Sequence, residues 1–382
     1  MKRLLAILLL STLLLVGCGC QTNIEDTPEL VPTKPIETPQ PETVDSSVSP
    51  TPMPMITVSV PITSNEITAD DGIVIFRDVR QSMQLVMPDQ DVADMIIIDF
   101  LTRIDQASAA ASDLSSQAQT DYVASDMWTP YLNSVTYTPA RIDQSVLSLY
   151  GSTIQYSGGA HAIYVSRAAN YNTATGEVLT LGSILADEDA HGQLCELVIA
   201  QLNCIKEEKY LRTDFADSVQ QRFASEASYD ENWYFSNQGI CFYFDHYEIA
   251  PYSSGIITAE IPYKDLVGII DDAFFPPESD VANGSVTVTA AEDIDVTQFT
   301  RISEVVVDKE SPMYIIHCNG RVQNLRVLMA DAELGSNYTI FVAQALYSSD
   351  AIIVQADLSL FHRLEVAYES NEQTIIIPFL AE

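Results

Sequence analysis

The sequence predicts an α+β domain, an antiparallel sheet with packed helices, followed by an all-β sandwich-like C-terminal domain. Three observations lead to this prediction. Apolar residues recur at helical spacing in long stretches before residue 220. From residue 285 onward, seven or more short β-rich runs alternate with turns, as is typical of a sandwich. The sequence Phe275-Pro276-Pro277 between these two parts is typical of a domain boundary.

The helices of the first part are predicted from apolar spacing. After Pro88-Asp89, apolar residues at positions 92, 95, 96, 100 and 104 follow helical spacing, and Ala- and Ser-rich sequence continues to about residue 123. Residues 189–210 predict a second helix and residues 215–223 a short third one. Residues 263–271 are predicted as a helix that closes the domain.

The strands are predicted from clusters of β-forming residues between turn signals. Residues 240–244 pair with residues 233–235 around a Ser-Asn-Gln-Gly turn, which predicts a hairpin. Pro139 is expected between two strands of the 131–156 region. The other predicted strands cover residues 56–60, 73–76, 83–87, 160–171, 177–181 and 255–261.

The N-terminus is typical of an export signal. Two positive charges at Lys2 and Arg3 precede a mostly apolar run over residues 4–16, which is too short for a confident membrane span of about 20 residues. The run ends in Leu-Val-Gly-Cys18, which resembles the bacterial lipobox. We therefore predict a lipoprotein signal peptide over residues 1–17 and lipidation of Cys18, which would anchor the protein on the outer face of the bacterial cytoplasmic membrane. The alternative is an ordinary signal peptide with incidental cysteines.

The rest of the chain is predicted to consist of a linker and two folded domains. Residues 18–55 are rich in Pro and Thr and cannot bury a core, so they predict a disordered linker with a reach on the order of 100 Å. Residues 56–278 form the predicted α+β domain, in two parts that meet between residues 157 and 158. Residues 279–382 form the β-rich C-terminal domain.

The charge of the chain restricts its partners. It has 18 Lys and Arg against 53 Asp and Glu, a formal net charge of −35. Such a field repels phosphate backbones, so nucleic-acid binding is excluded, and it attracts cationic proteins. Loss of residues 1–17 would remove Lys2 and Arg3 and lower the net charge by two more.

No sequence motif predicts catalysis. The chain lacks Gly-x-Ser-x-Gly, Ser-x-x-Lys, His-Glu-x-x-His, Cys-x-x-Cys and the phosphate-binding Gly-Lys-Ser/Thr motif, so we expect no enzyme and no cofactor. A hydrolase that uses scattered carboxylate pairs is the remaining enzymatic alternative. Asp245, His246 and Glu248 contain metal-ligating groups, but on a strand only the last two share a face, so we expect no metal.

The cysteines do not predict a disulfide framework. Cys195 and Cys204 lie nine positions apart on a predicted helix, about 13 Å by helical rise, beyond disulfide reach. Cys241 and Cys318 are expected as buried thiols.

Several phrases between residues 157 and 270 resemble a known family in order and spacing. The phrases are Ser157-Gly-Gly-Ala-His161, Asn170-Tyr-Asn, Thr175-Gly-Glu-Val-Leu-Thr-Leu181, Phe242-Tyr-Phe-Asp-His-Tyr-Glu-Ile-Ala-Pro-Tyr252, Gly255 and Ile261-Pro-Tyr-Lys-Asp-Leu266. They resemble the extracellular domain of RsiV-type anti-sigma factors and the N-terminal module of PdaC-type deacetylases, a domain of unknown function of the 3298 type. The resemblance implies an α+β fold and a cell-envelope setting over residues 56–275.

The departures from this family limit what the resemblance implies. The chain has neither the cytoplasmic sigma-binding part of the RsiV type nor a His-x-x-x-His pair of the PdaC deacetylase. What remains is a non-catalytic binding or sensing module of the cell envelope. Because some RsiV-type relatives sense lysozyme, and lysozyme is cationic, lysozyme or another cationic envelope ligand is the expected partner. The alternative is a structural, wall-associated lipoprotein; less expected is an envelope glycan hydrolase.

The candidate contact residues come from the same phrases. Gly158 and Gly159 permit positive φ, and His161 after them either lines a pocket or is a structural turn histidine. The dense aromatic run from Trp233 to Tyr263 must divide between core and surface. We expect ligand contacts at Tyr247, Pro251 and Tyr252; the alternative places nearly all these rings in the core.

Overall fold

A computed structural model describes the chain from residue 56 onward, with short gaps. Residues 53–382 form one compact unit, to which every described residue belongs. Cys18, the predicted signal peptide and the predicted linker lie outside the described residues. No helix in the described part is both long enough and apolar enough to cross a membrane. The described ranges are residues 56–124, 128–224, 232–277, 282–306, 311–331, 336–356, 363–370 and 373–378.

The described residues form helices and strands in the following order. The helices are α1 (Gln90–Ala107), α2 (Ala111–Asp121), α3 (Leu181–Ile184), α4 (Ala190–Ile205) and α5 (Phe215–Phe223). The strands of the first part are β1 (Thr57–Ser59), β2 (Ile62–Thr68), β3 (Val74–Gln81), β4 (Gln84–Val86), β5 (Tyr131–Ile142), β6 (Val146–Tyr156), β7 (Ile163–Asn172), β8 (Trp233–Phe235), β9 (Gly239–Phe244) and β10 (Ile257–Pro262). Later strands are β11 (Val286–Ala290), β12 (Arg301–Val306), β13 (Met313–Cys318), β14 (Val322–Asp331), β15 (Ser336–Leu346), β16 (Asp350–Gln355), β17 (Arg363–Ser370) and β18 (Gln373–Pro378).

Helix α1 begins where its sequence predicts. The Asp89 carboxylate accepts hydrogen bonds from the backbone N–H groups of Asp91 and Val92, which caps the helix. Its buried residues recur at helical spacing: Val92, Ala93, Ile96, Phe100 and Ile104. The predicted helical stretch to residue 123 is divided, because α1 ends at Ala107 and α2 begins separately at Ala111.

Helix α1 packs against a five-stranded sheet with the order β2-β3-β5-β6-β7. All neighbours in this sheet are antiparallel except β3 and β5, which are parallel. Pro139 was expected between two strands but lies inside β5, where the pairing with β6 shifts between Pro139 and Arg141. An irregular site of this kind tolerates proline in a strand interior.

A second core lies between α4, α5 and the three-stranded antiparallel sheet β10-β9-β8. The predicted helix over residues 215–223 and the predicted hairpin β8–β9 are confirmed, and the helix predicted over residues 189–210 forms but ends at Ile205. The predicted helix over residues 263–271 is wrong. A 3-10 turn over Tyr263–Asp265 is followed by Gly268 at φ 77°, which breaks helical geometry, and Ile270 forms isolated bridges to Leu185 and Val267.

The C-terminal part consists of two stacked sheets. The four-stranded sheet β11-β13-β16-β12 packs against strands β14, β15 and β17 through a shared apolar core. Only 3-10 turns and no α-helices occur in the described residues after residue 282. Across the described residues, helices α1–α5 occur together with several antiparallel sheets, so the predicted mixture of helices and antiparallel sheets is confirmed.

The predicted layout of an α+β domain followed by an all-β domain holds only in part. Strand β1 inserts between β15 and β4, so the six-stranded sheet β18-β17-β14-β15-β1-β4 combines strands from both predicted domains. Val58 pairs with Val342 and Leu85 on its two sides and is fully buried. The boundary between residues 278 and 279 stays a prediction, and it is crossed by this sheet.

Candidate ligand-binding surface

The Gly158-Gly159 turn carries His161 to the start of β7. Both glycines have positive φ, 86° and 99°. A Cβ atom at Gly158 would lie 3.2 Å from the Tyr131 hydroxyl, so both backbone conformation and space favour glycine there. The Tyr156 hydroxyl donates a hydrogen bond to the Gly159 carbonyl and holds the turn. His161 is exposed at its far end.

The segment after β9 is a turn, not a continued strand. Strand β9 ends at Phe244, and Glu248 donates its backbone N–H to the Asp245 carbonyl at 3.1 Å. Tyr247, in this turn, has φ 67°. The expectation that His246 and Glu248 share one face of a strand is therefore wrong, because the strand period of two does not apply within the turn.

Two carboxylates fix this turn to the fold. The Asp245 carboxylate accepts a hydrogen bond from the Ser166 hydroxyl at 2.5 Å and another from the Ser166 backbone N–H at 3.1 Å. Glu248 forms an ion pair with Arg222 of α5 at 2.5 Å and accepts the Asp245 backbone N–H at 2.9 Å. Burial raises the pKa of Glu248 above its ordinary value, although Arg222 opposes this shift. Both carboxylates are thus engaged in structure.

Five rings from the two turns and β7 form one contiguous group, which we call the aromatic patch: His161, Tyr164, His246, Tyr247 and Tyr252. The Tyr252 ring is its centre, with centroid distances of 4.4 Å to His246, 5.0 Å to His161 and 5.6 Å to Tyr247. The Tyr164 ring lies 5.6 Å from His246. These separations are typical of aromatic pairs.

The aromatic patch is open to solvent. Tyr247 is 67% exposed, the neighbouring Pro251 is exposed and Tyr252 is half-buried. Ile163, next to Tyr164 on β7, is 63% exposed. Rings that are held by one another and remain partly exposed are suited to contact with a second molecule.

A second loop, residues 206–212, contacts the segment that carries Tyr247 and Tyr252. Ser254 donates its hydroxyl to the Lys209 carbonyl at 2.7 Å, and Arg212 donates its backbone N–H to the Ile249 carbonyl at 2.9 Å. Tyr210 in this loop has φ 52° and is 73% exposed. Two exposed tyrosines on adjoining loops, Tyr210 and Tyr247, therefore adopt a conformation that costs about 1–3 kcal/mol, and such strain concentrates at functional sites.

The predicted contact residues are brought together, and most of the aromatic run is core. Tyr247, Pro251 and Tyr252 lie at one surface with His161, whereas Trp233, Phe235, Phe242, Tyr243 and Phe244 are buried. Sequence reasoning missed Tyr164, Ser166 and Arg222. No strand period singles out Tyr164, because Ile163 and Tyr164 are both exposed at the start of β7 and the later positions do not alternate.

The described part of the chain contains no grouped metal-ligating side chains and no disulfide. No cluster of three or more His, Cys, Asp or Glu residues suited to a metal occurs in the described ranges. Cys195, Cys204, Cys241 and Cys318 are free thiols. Cys241 and Cys318 are buried as predicted, and burial raises the pKa of each to about 12, which keeps them protonated and unreactive.

Part of the chain matches a protein-family model, and the matched region contains much of the aromatic patch. Residues 183–264 match the family model described as a protein of unknown function, DUF3298. This match covers α4, α5, the β8–β9 hairpin and the turn with Tyr247, Pro251 and Tyr252. His161 and Tyr164 precede it.

Two solved structures with the same family description are similar to the chain. A DUF3298 family protein from Pseudomonas aeruginosa PAO1 has 19% sequence identity and a TM-score of 0.39, over 58% of this chain and 97% of that one. A member of the family from Bacteroides fragilis NCTC 9343 has 16% identity and a TM-score of 0.37, over 56% of this chain and 94% of that one. No curated protein matches the chain.

Proposed function

We propose that this protein is a non-catalytic cell-envelope lipoprotein that uses the aromatic patch as an extracellular binding or sensing surface. In this proposal Cys18 carries the lipid, the outer face of the bacterial cytoplasmic membrane is the location, and the Pro/Thr-rich linker holds residues 56–382 away from it. The proposed partner is lysozyme or another cationic envelope protein.

The observation that carries the proposal is the grouping of Tyr247, Pro251 and Tyr252 with His161, which lies 91 positions from Tyr252 in sequence. A spacer has no use for exposed rings that are held by mutual packing, an ion pair and a buried carboxylate contact. Rigid tyrosines give large contact area at low conformational cost, which is why they are enriched at binding hot spots.

The charge of the chain supports a cationic partner. A net charge of −35 raises the association rate with a positively charged protein, and this steering weakens with salt because charges beyond about 8 Å are screened at physiological ionic strength. Contact with the patch itself would be less sensitive to salt. Salt dependence therefore separates specific binding from general attraction.

A titration with lysozyme at low and physiological salt tests the proposal. We expect binding to the full-length chain to persist at physiological salt and to weaken roughly 30-fold in Tyr252→Ala, the effect of losing about 2 kcal/mol at a hot spot. Met313→Ala removes a half-exposed apolar side chain from β13 and is the control, with unchanged affinity expected. Binding that vanishes at physiological salt, or that ignores Tyr252→Ala, would contradict a specific lysozyme site.

Two further measurements address the anchor and the absence of catalysis. Cys18→Ala should release the protein from the membrane fraction, and unchanged association would argue against lipidation. Incubation with peptidoglycan and acetylated glycan oligomers should yield no products. Reproducible product release that is lost in a variant of one acidic residue would instead favour the hydrolase alternative.

A further inference from the structure

An open cavity of about 590 Å³ lies where the turn between β2 and β3 meets the C-terminal end of α2. Part of its lining is apolar, because Ile75 of β3 is 3% exposed and Ile67 of β2 is half-buried. The turn contributes the exposed Asp70 and Asp71, and the end of α2 contributes Tyr122. None of the lining residues belongs to the aromatic patch or to the region that matches the family model.

Asp71 joins the turn to the end of α2. The Tyr122 hydroxyl donates a hydrogen bond to Asp71 Oδ2 at 2.6 Å, and the Ile73 backbone N–H donates one to Oδ1 at 3.2 Å. The Tyr122 bond first, and then the Ile73 bond, lower the pKa of Asp71, while the same contact with Asp71 raises the pKa of Tyr122 to about 12. Asp71 is therefore an anion at neutral pH, and Tyr122 is held beside the cavity as its donor.

No cation compensates the negative charge of this cavity within the described part of the chain. Its lining contains the carboxylates of Asp70 and Asp71 but no Lys, Arg or His, so its formal charge is −2. Neither aspartate forms an ion pair with another described residue. Helix α2 ends here with no basic residue in its last turn, and the carbonyl groups of a helix C-terminus add partial negative charge.

We propose that this cavity binds the ammonium group of an organic amine, either a free alkylamine or a lysine side chain. The two carboxylates and the end of α2 attract the positive group, and Ile67 and Ile75 accept the hydrocarbon chain attached to it. The volume lies within the range of ligand pockets, about 300–1,000 Å³. A divalent metal ion fits less well, because part of the lining is apolar and the described residues offer no third His, Cys, Asp or Glu ligand here.

An NMR titration of the full-length protein tests this site. The backbone amide signal of Gly72 and the ring signals of Tyr122 are followed at constant ionic strength while n-pentylamine or Nα-acetyl-lysine amide is added. The matched controls are n-pentanol and Nα-acetyl-norleucine amide, which have similar chains without the ammonium group. We expect saturable shifts with at least one amine and none with its control. The amine that responds identifies the source of the ammonium group.

Three variants locate the binding. Asp70→Asn should weaken it about 5-fold, which corresponds to the loss of about 1 kcal/mol from an exposed ion pair. The double variant Asp70→Asn/Asp71→Asn should show no saturable shift, although the amide oxygen at position 71 can still accept the Tyr122 hydrogen bond. Asp295→Asn, which changes an exposed aspartate outside the cavity, should leave the affinity unchanged.

Three results would each overturn the proposal. They are the absence of saturable shifts with both amines, equal shifts with the neutral controls, and unchanged affinity in the folded double variant. Circular dichroism establishes that each variant is folded. If the double variant unfolds, Asp70→Asn decides, since the Asp70 side chain makes no hydrogen bond or ion pair to another described residue. None of these results bears on the aromatic patch.

Discussion

Replacement of Asp245 by alanine should loosen the turn that carries the aromatic patch. Asp245 is the carboxylate that joins this turn to β7, through the hydroxyl and the backbone N–H of Ser166. Ser166 is only 4% exposed, so water cannot readily replace the lost acceptor. The change therefore leaves two donors near the protein interior without their partner.

The magnitude follows from these two bonds. A hydrogen bond to a charged acceptor contributes about 1.5–3 kcal/mol, and a stranded buried N–H costs about 1 kcal/mol or more. We expect Asp245→Ala to lower the free energy of unfolding by about 3 kcal/mol and Ser166→Ala, which removes only the hydroxyl, by about 2 kcal/mol. The double variant should lose about 3 kcal/mol, which gives a coupling energy of about 2 kcal/mol.

Urea titrations of the wild type, the two single variants and the double variant give the four free energies of unfolding by linear extrapolation, and these yield the coupling energy. Asp295→Ala is a matched control, because Asp295 accepts the same two kinds of bond from Thr297, at 2.7 and 2.9 Å, but is fully exposed. Its loss should be much smaller than that of Asp245→Ala. A coupling energy below about 0.5 kcal/mol, or equal losses at the two aspartates, would refute the reasoning.

Three further variants test other parts of the fold. Gly151→Ala would place a Cβ atom 2.1 Å from the Thr136 carbonyl oxygen. We therefore expect urea titrations to show a free energy of unfolding lowered by more than about 3 kcal/mol. Near-native stability would contradict the tight β5–β6 pairing. Burial raises the pKa of Glu248 from 4.5, so the folded protein binds this proton more tightly than the unfolded chain does. As pH rises above about 4, the free energy of unfolding of the wild type should therefore fall relative to that of Glu248→Gln, as measured by unfolding across pH. A difference that does not change with pH would show that Arg222 fully offsets burial. Val58→Asp should cost about 3–5 kcal/mol, because it buries an unpaired charge in the six-stranded sheet, and a small cost would place β1 outside it.

Local patterns in the sequence were sufficient for the elements with a strong period. The apolar spacing of α1 and its Asp89 cap, the helix α5 and the turn of the β8–β9 hairpin depend on residues within a few positions of each other. The helix predicted over residues 263–271 failed because Gly268 and long-range pairing of Ile270 with Leu185 overrode a weak local period. Propensity decides structure only where tertiary contacts do not oppose it.

For the candidate site, too, some features could be predicted from the sequence and others could not. Tyr247, Pro251 and Tyr252 are near one another along the chain, and the Gly158-Gly159 pair already indicates a turn before His161. The contact between these two turns depends on the packing of the whole fold and has no local signal in the sequence.

Long-range contacts of the same kind join Ser166 to Asp245, insert β1 beside β15 and bring Asp71 and Tyr122 to one cavity. Such pairs are separated by tens to hundreds of positions, and their contact follows from which apolar faces bury one another. Helical and strand periods specify a buried face, but not the face of another element against which it packs.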